Sequence, residues 1–214
     1  MTKRSTKSTF KIAFELKQLI EILDKTIFKH PIPVQIVSSK GGVLAQYVLE
    51  RRGKEHYEVY MHPDEKIIKD VELEGSKYSQ ELLIGRAAHE VRHRVQHHFK
   101  ISLLYDLLFE DEVKIKDPDL RDAVRYAEEF YDKLTSRGID LVQVIGLANI
   151  KTEFDAIAIE KFVARKWRGN NLLEIAKIVR MSAKQLKRRE SSFLFQKALL
   201  SLGKYLPRSK IHIA

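Results

Sequence analysis

The chain of 214 residues contains no cysteine. This absence excludes a disulfide framework, a thiolate metal site and a cysteine nucleophile. Any metal ion that the side chains of this protein bind must therefore be held by histidine and carboxylate groups. The chain has eight histidines and 29 acidic residues that can supply such ligands.

Long apolar runs are also missing from the N-terminal part. Residues 1–9 are basic and rich in hydroxyl groups, and the apolar positions that follow are interrupted by four charged residues between positions 11 and 21. This pattern predicts an amphipathic helix that begins near Phe10, and it is not the pattern of a signal peptide or a membrane span. We therefore expect a flexible N-terminus at residues 1–9, a cytoplasmic protein and no membrane partner.

Acidic residues are scarce in the C-terminal part, where residues 165–214 contain 13 Lys or Arg and only Glu174 and Glu190. The segment therefore carries a charge of +11, and the remaining residues sum to −1 within the net charge of +10. The composition, with 44% hydrophobic and 32% charged residues, is that of a folded protein, and the length suits one packed domain with a small appendage. We predict a domain at residues 10–166 and a basic helical segment at residues 167–214.

The first helix is followed by three β-rich runs, at residues 34–38, 43–52 and 55–61, with glycine-containing turns between them. These runs predict an antiparallel or mixed sheet. Residues 66–73 are a candidate for a further strand. From Ser79 onward the apolar spacing is helical, and it predicts helices at residues 79–100, 101–110, 117–136, 140–167, 172–179 and 182–202. The expected fold class is α+β, with a small N-terminal β-sheet followed by a predominantly helical half.

One short motif in the helical half carries chemistry, the run His89-Glu90-Val91-Arg92-His93. Residues four apart on a helix lie on one face with Cβ atoms roughly 5 to 6 Å apart, which lets two imidazoles reach one Zn²⁺. Glu90 is the next residue on the helix after His89. At this position a carboxylate can reach a metal-bound water and act as the general base without being a ligand. The alternative is a solvated, histidine-rich helix face. Arg92 and Arg94 are charged where most HExxH enzymes have uncharged residues.

The motif and its surroundings resemble the zincin metallopeptidase superfamily, in which a sheet precedes the HExxH helix. The likeness covers approximately residues 31–162. The metzincin branch requires a glycine and a third histidine after the motif, where this chain has Gln96 and Phe99, so that branch is excluded. The resemblance implies a zinc cofactor, a protein or peptide substrate, and a third metal ligand from a residue after the motif.

The gluzincin branch of that superfamily takes its third ligand from a glutamate on a later helix, followed by small residues and often by an aspartate. Glu153 fits this pattern and is the first choice. The related peptidases usually place the aspartate four residues after the glutamate, where this chain has Ile157. Asp155 is the runner-up, because a small residue, Ala158, follows it three positions later, and Glu160 is a weaker third. The alternative is an ordinary amphipathic helix with exposed acids.

Other histidines and tyrosines are open candidates for supporting roles. His97 lies two helical steps of four residues from His89, about 12 Å along the axis, so the two cannot share one zinc ion. His97 and His98 are expected either to contact the metal ligands without binding the metal or to lie on the surface. A residue that stabilises the oxyanion is also expected, and the sequence does not rank its candidates, which are Tyr60, His62, Tyr126 and Tyr131.

The basic segment contains a run, residues 173–189, that resembles a helix-turn-helix core. Ala176 occupies the small position between the helices and Ser182 would cap the second helix, while Arg180 replaces the usual turn glycine. The resemblance implies contact with DNA or RNA through the second helix, at positions Ala183, Lys184, Lys187 and Arg188. The alternative is a pair of amphipathic helices that complete the domain and expose their cations. A segment of this charge favours phosphate-bearing partners in either case.

Taken together, these features predict a zinc-dependent hydrolase that cleaves peptide bonds, with His89, His93 and Glu153 as ligands and Glu90 as the base. Two alternatives stay open. One is a nucleic-acid-binding regulator with a structural or regulatory metal site, and the other is a zincin-fold scaffold without activity. The sequence gives no indication of the oligomeric state.

Overall fold

The computed structural model describes residues 3–38, 44–50, 53–61, 80–101, 103–105, 115–138, 140, 143 and 146–182. Its helices and strands are α1 (Lys3–Ile27), β1 (Val34–Ser38), β2 (Ala45–Leu49), β3 (Glu55–Met61), α2 (Gln80–Phe99), α3 (Pro118–Ser136), α4 (Leu147–Lys166) and α5 (Leu172–Val179). A small sheet precedes a mostly helical half, so the predicted α+β class is confirmed. The candidate strand at residues 66–73 and the predicted helix at residues 182–202, apart from Ser182, lie outside the described residues, as does most of the predicted helix at residues 101–110.

The sheet has the strand order β1, β3, β2. Strand β3 pairs in parallel with β1 and in antiparallel with β2, so the sheet is mixed. At the end of the β2–β3 pair, Glu50 N donates to Lys54 O at 2.9 Å. Strand β2 lies at one edge of the described sheet and contacts α2.

Two helices begin several residues away from the predicted positions. Helix α1 begins at Lys3, within the segment that was expected to be flexible. Helix α4 was predicted to begin at Asp140, and the prediction is wrong because α4 begins at Leu147. Gly146 precedes it with a φ of 76°, which lies in the left-handed region that a right-handed helix cannot include.

Helices α2 and α4 lie in unusually close contact. A Cβ atom added to Gly85 of α2 would lie 2.9 Å from the Glu160 carbonyl oxygen and 3.4 Å from the Ala164 Cβ. Four further small residues of these two helices are buried, namely Ala87, Ala88, Ala156 and Ala158. The close approach matters for function because it brings polar side chains of α4 within reach of the histidines of α2.

Helix α5 packs into the same core as the rest of the described chain. Its buried residues Ile175, Ala176, Ile178 and Val179 belong to the main hydrophobic cluster, and it contacts α1, α2 and α4. Residues 172–179 therefore complete the core of the domain. No helix in the described part of the chain combines the length and the apolar character that crossing a bilayer requires.

Candidate metal centre

Helices α2 and α4 bring His89, His93 and Glu153 to one point. The two histidine Nε2 atoms lie 3.2 Å apart. The Glu153 carboxylate faces both of them, with Oε2 3.4 Å from His89 Nε2 and Oε1 3.3 Å from His93 Nε2. The ligand atoms of the three residues all lie within 4.8 Å of one another. These are the two motif histidines and the first choice for the third ligand.

The donor set of this triad fits a divalent transition metal. Two imidazole nitrogens and one carboxylate are the ligands of a catalytic zinc site of the three-ligand type, which leaves a position open for water or substrate. The side chains of His89 and His93 are only 12% and 16% exposed. The alternative of a solvated histidine-rich face is therefore wrong, since both imidazoles are largely buried and directed at a carboxylate.

The second nitrogen of His89 faces Glu160. Its Nδ1 atom lies 3.2 Å from Glu160 Oε2, which is an ion-pair distance, although the orientation falls short of hydrogen-bond geometry. The same oxygen accepts a hydrogen bond from Arg86 at 3.0 Å. The weaker third choice for a ligand thus lies behind the His89 ring, where it can orient that ring instead of binding the ion.

The second nitrogen of His93 faces Gln96, with Nδ1 3.0 Å from Gln96 Oε1. The Gln96 amide donates in turn to Asp155 Oδ2 at 2.7 Å and to the Thr152 carbonyl at 2.9 Å. Asp155, the runner-up for the third ligand, is fully buried and directed away from the triad. The prediction of Asp155 as a candidate ligand is therefore wrong, because its oxygens already accept hydrogen bonds from side chains of α2 and from the Leu104 backbone.

The two arginines that depart from the usual motif are both buried in ion pairs. Arg92 donates to Asp155 through Nε at 2.6 Å and through a terminal nitrogen at 3.0 Å. Arg94 donates to both oxygens of Asp24 at 2.7 Å, and its guanidinium lies 4.0 Å from the centre of the Phe28 ring. Each charge is compensated inside the protein, so neither arginine turns the histidine helix toward solvent.

Glu90 lies beside the triad without joining it. Its side chain is buried, and Oε2 accepts a hydrogen bond of 2.8 Å from the backbone N–H of Tyr47 on strand β2. Burial raises the pKa of Glu90, while the neighbouring His89 and His93 oppose that rise. A carboxylate whose pKa is raised is a stronger base and is better suited to accepting a proton.

The electrostatics of the triad favour a positive charge. Burial lowers the pKa of His89, but contacts with Glu153 and Glu160 outweigh it and raise that pKa to about 10. Burial likewise raises the pKa of Glu153, but its contacts with His89 and His93 bring it well below its ordinary value. In the metal-free protein the carboxylates therefore stabilise a proton on His89. A metal cation at the same place would be stabilised by the same carboxylates.

The remaining candidates are engaged elsewhere or undescribed. The His97 side chain is 49% exposed and lies 3.4 Å from Glu55, and the His98 ring packs edge-on against two phenylalanines. The hydroxyl of Tyr60 donates to Glu58 at 2.6 Å, and that of Tyr131 donates to the Ile150 carbonyl at 3.3 Å. The ring of Tyr126 lies below the Lys161 ammonium. His62 and the proposed nucleic-acid contacts Ala183, Lys184, Lys187 and Arg188 lie outside the described residues.

Two partners of the site, Gln96 and the Tyr47 N–H, were not identified from the sequence, and Glu160 was named only as a weaker candidate ligand. Gln96 lies three residues after His93 on the same helix, a spacing that places two side chains together, so a local signal for it existed. The contacts of Glu160 and Tyr47 depend on how α4 and β2 pack against α2, and no local pattern reports that. A comparison with protein-family models, curated proteins and solved structures found no match to this chain.

Proposed function

We propose that this protein is a zinc-dependent hydrolase that cleaves peptide bonds. The observation that carries the proposal is the convergence of His89 Nε2, His93 Nε2 and the Glu153 carboxylate, with the buried Glu90 on the same helix as the two histidines. A zinc ion held by these three residues would lower the pKa of a water molecule and polarise a substrate carbonyl. The chain itself supplies the base and the orientation of the ligands.

Glu90 is the residue that moves the proton in this proposal. The Tyr47 N–H fixes one carboxylate oxygen at 2.8 Å, and a carboxylate has further acceptor capacity on its other oxygen. Because burial raises its pKa, Glu90 can take a proton from the attacking water and pass it to the leaving amine. Its place one residue after His89 keeps it near the ion and outside the ligand set.

A peptide substrate is supported by the position of strand β2. The antiparallel pairing of β2 with β3 uses the backbone of Leu44 and Glu50, so the alternate residues Ala45, Tyr47 and Leu49 direct their backbone groups away from β3. The Tyr47 N–H already donates to Glu90, and an extended peptide can add to the remaining groups of such an edge through main-chain hydrogen bonds. This edge lies directly beside Glu90, because Tyr47 is the residue that binds its carboxylate.

The proposal is tested first by metal analysis of protein that is purified without added metal and without chelators. We expect close to one zinc per chain, and we expect the zinc-loaded protein to cleave members of a mixed peptide library, followed by mass spectrometry. Zinc without any cleavage would favour the regulator with a structural metal. Protein that neither retains nor takes up zinc would favour the inactive scaffold.

A second function is favoured by the charge distribution. Residues 165–214 carry 13 Lys or Arg against two acids, a density that attracts polyanions through release of their counterions. We propose that this segment binds DNA or RNA, with Lys184, Lys187 and Arg188 as contacts. The peptidase and nucleic-acid functions are compatible, because the proposed nucleic-acid contacts come after α5 in the chain. Helix α5 and the helices before it belong to the packed domain that carries the metal-ligand candidates.

A further inference from the structure

Gln96 occupies a position between a metal-ligand candidate and a buried ion pair. It lies one turn after His93 on α2 and is half-buried. Its oxygen lies 3.0 Å from His93 Nδ1, and its nitrogen donates to Asp155 Oδ2 at 2.7 Å and to the Thr152 carbonyl at 2.9 Å. The amide therefore makes three polar contacts, with the imidazole on one side and two acceptors on the other.

The acceptors on the far side determine which way the amide points. Each oxygen of Asp155 receives two donors: Oδ1 receives Arg92 and the Leu104 N–H, and Oδ2 receives Arg92 and Gln96. A carboxylate paired with a guanidinium in this way only accepts hydrogen bonds. The Thr152 carbonyl also only accepts. Gln96 must consequently present its NH₂ group to both of them, and its oxygen is left facing His93.

The orientation of Gln96 determines in turn which nitrogen of His93 carries the proton. An amide oxygen only accepts, so the Nδ1 atom that faces it at 3.0 Å must be the donor. The lone pair of the neutral imidazole is then on Nε2. This is the nitrogen that lies 3.2 Å from His89 Nε2 and 3.3 Å from Glu153 Oε1.

We propose that Gln96 and Asp155 are positioning residues that fix the tautomer of His93, so that its Nε2 is always the atom offered to the metal. This inference rests on the proposed metal site. The two histidine ligands are supported differently, because His89 faces the charged Glu160 and His93 faces a neutral amide held by a buried carboxylate. The amide oxygen of Gln96 accepts the Nδ1 proton of His93, as a carboxylate would, but it adds no negative charge next to His93.

The test uses the full chain labelled with ¹⁵N in its histidines, and records long-range proton–nitrogen spectra with and without zinc. We expect His93 to carry its proton on Nδ1 in both samples, the zinc-free sample being held at a pH at which its imidazole is neutral. Addition of zinc should change the shift of Nε2 alone. A proton on Nε2, or coordination of zinc through Nδ1, would overturn the inference, and this measurement does not depend on any variant being able to fold.

Gln96→Leu provides the second arm, with Gln80→Leu, at an exposed position at the start of the same helix, as its matched control. Loss of such an orienting partner typically weakens metal binding about 10- to 100-fold. We expect that loss, measured by competition with a chromophoric chelator, together with the appearance of both His93 tautomers in the zinc-free spectra. Wild-type affinity and a single Nδ1–H tautomer in Gln96→Leu would show that Gln96 does not position His93.

The two proposals fail separately in this experiment. If zinc causes no change at His89 and His93, the metal site fails, and the zinc-free spectrum still reports whether Gln96 fixes the tautomer. If zinc binds through the Nδ1 atom of His93, the metal site stands and the positioning role fails. The absence of peptidase activity bears on neither result.

Discussion

Arg92 and Asp155 form a bidentate ion pair in the interior of the protein, with both side chains 0% exposed. The guanidinium also donates to the Val179 and Met181 carbonyls at 2.6 Å. Arg92 lies inside the motif between the two metal-ligand candidates, and these carbonyls lie at the end of α5. One side chain therefore connects α2 to the C-terminal end of α5, which lies within the basic segment.

Breaking this pair should be costly to stability. Removal of one partner of a buried ion pair leaves an uncompensated charge, which typically costs about 3–5 kcal/mol. We expect Asp155→Ala to lower the free energy of unfolding by about this amount, measured by urea denaturation. The double variant Arg92→Met/Asp155→Leu should lose less than the sum of the single variants Arg92→Met and Asp155→Leu, because no charge is then left unpaired. Additive losses would show that the pair is not coupled.

The identity of the third ligand predicts an order of zinc affinities. Glu153→Ala removes a ligand atom and should reduce affinity more than Glu160→Gln, which removes only the group behind His89 and should cost about 10- to 100-fold. Glu174→Gln, at an exposed position on α5, is the control and should bind zinc as the wild type does. Competition with a chelator measures all three, and a larger loss in Glu160→Gln than in Glu153→Ala would reverse the assignment.

Part of this site could be predicted from the sequence, because its signals are local. His89 and His93 are four residues apart, and β1, β3 and α5 have the predicted bounds since their apolar spacing and turn residues agree. The acids of α4 were harder to rank. Glu153 and Glu160 are seven residues apart and share a face of the helix, whereas Asp155 is two residues from Glu153 and lies on another face. Which face turns toward the histidines depends on the packing at Gly85, a contact between helices that no local pattern contains.

Zinc binding near neutral pH should release protons. The folded, metal-free protein has a His89 pKa raised to about 10, so this imidazole is protonated at pH 7 and must lose its proton before it binds the ion. Zinc affinity should therefore rise with pH between about 6 and 9. Calorimetric titrations in two buffers of different ionisation enthalpy should give different apparent enthalpies. Equal enthalpies in both buffers would mean that no proton is displaced.

Nucleic-acid binding should depend on the basic segment and be independent of the metal. Neutralising Lys184, Lys187 and Arg188 together should weaken binding to duplex DNA and flatten its salt dependence by a slope of roughly 0.9 per lost phosphate contact. Removal of zinc should leave the affinity nearly unchanged. Because α5 belongs to the core, the matched truncation ends after Ser182, with its thermal unfolding compared to that of the full chain. Equal DNA binding by the full and truncated chains across a salt series would contradict this proposal.

The central claim, that Glu90 is the base of a zinc hydrolase and not a ligand, is tested most directly by Glu90→Gln. The amide can still accept the Tyr47 hydrogen bond through its oxygen, but it cannot take a proton from the attacking water. The measurement is zinc content and peptide cleavage, side by side, for the wild type, Glu90→Gln and His93→Ala. The account predicts that Glu90→Gln keeps its zinc and loses nearly all cleavage, while His93→Ala loses both. Full cleavage by zinc-loaded Glu90→Gln, or loss of zinc from it, would contradict the account.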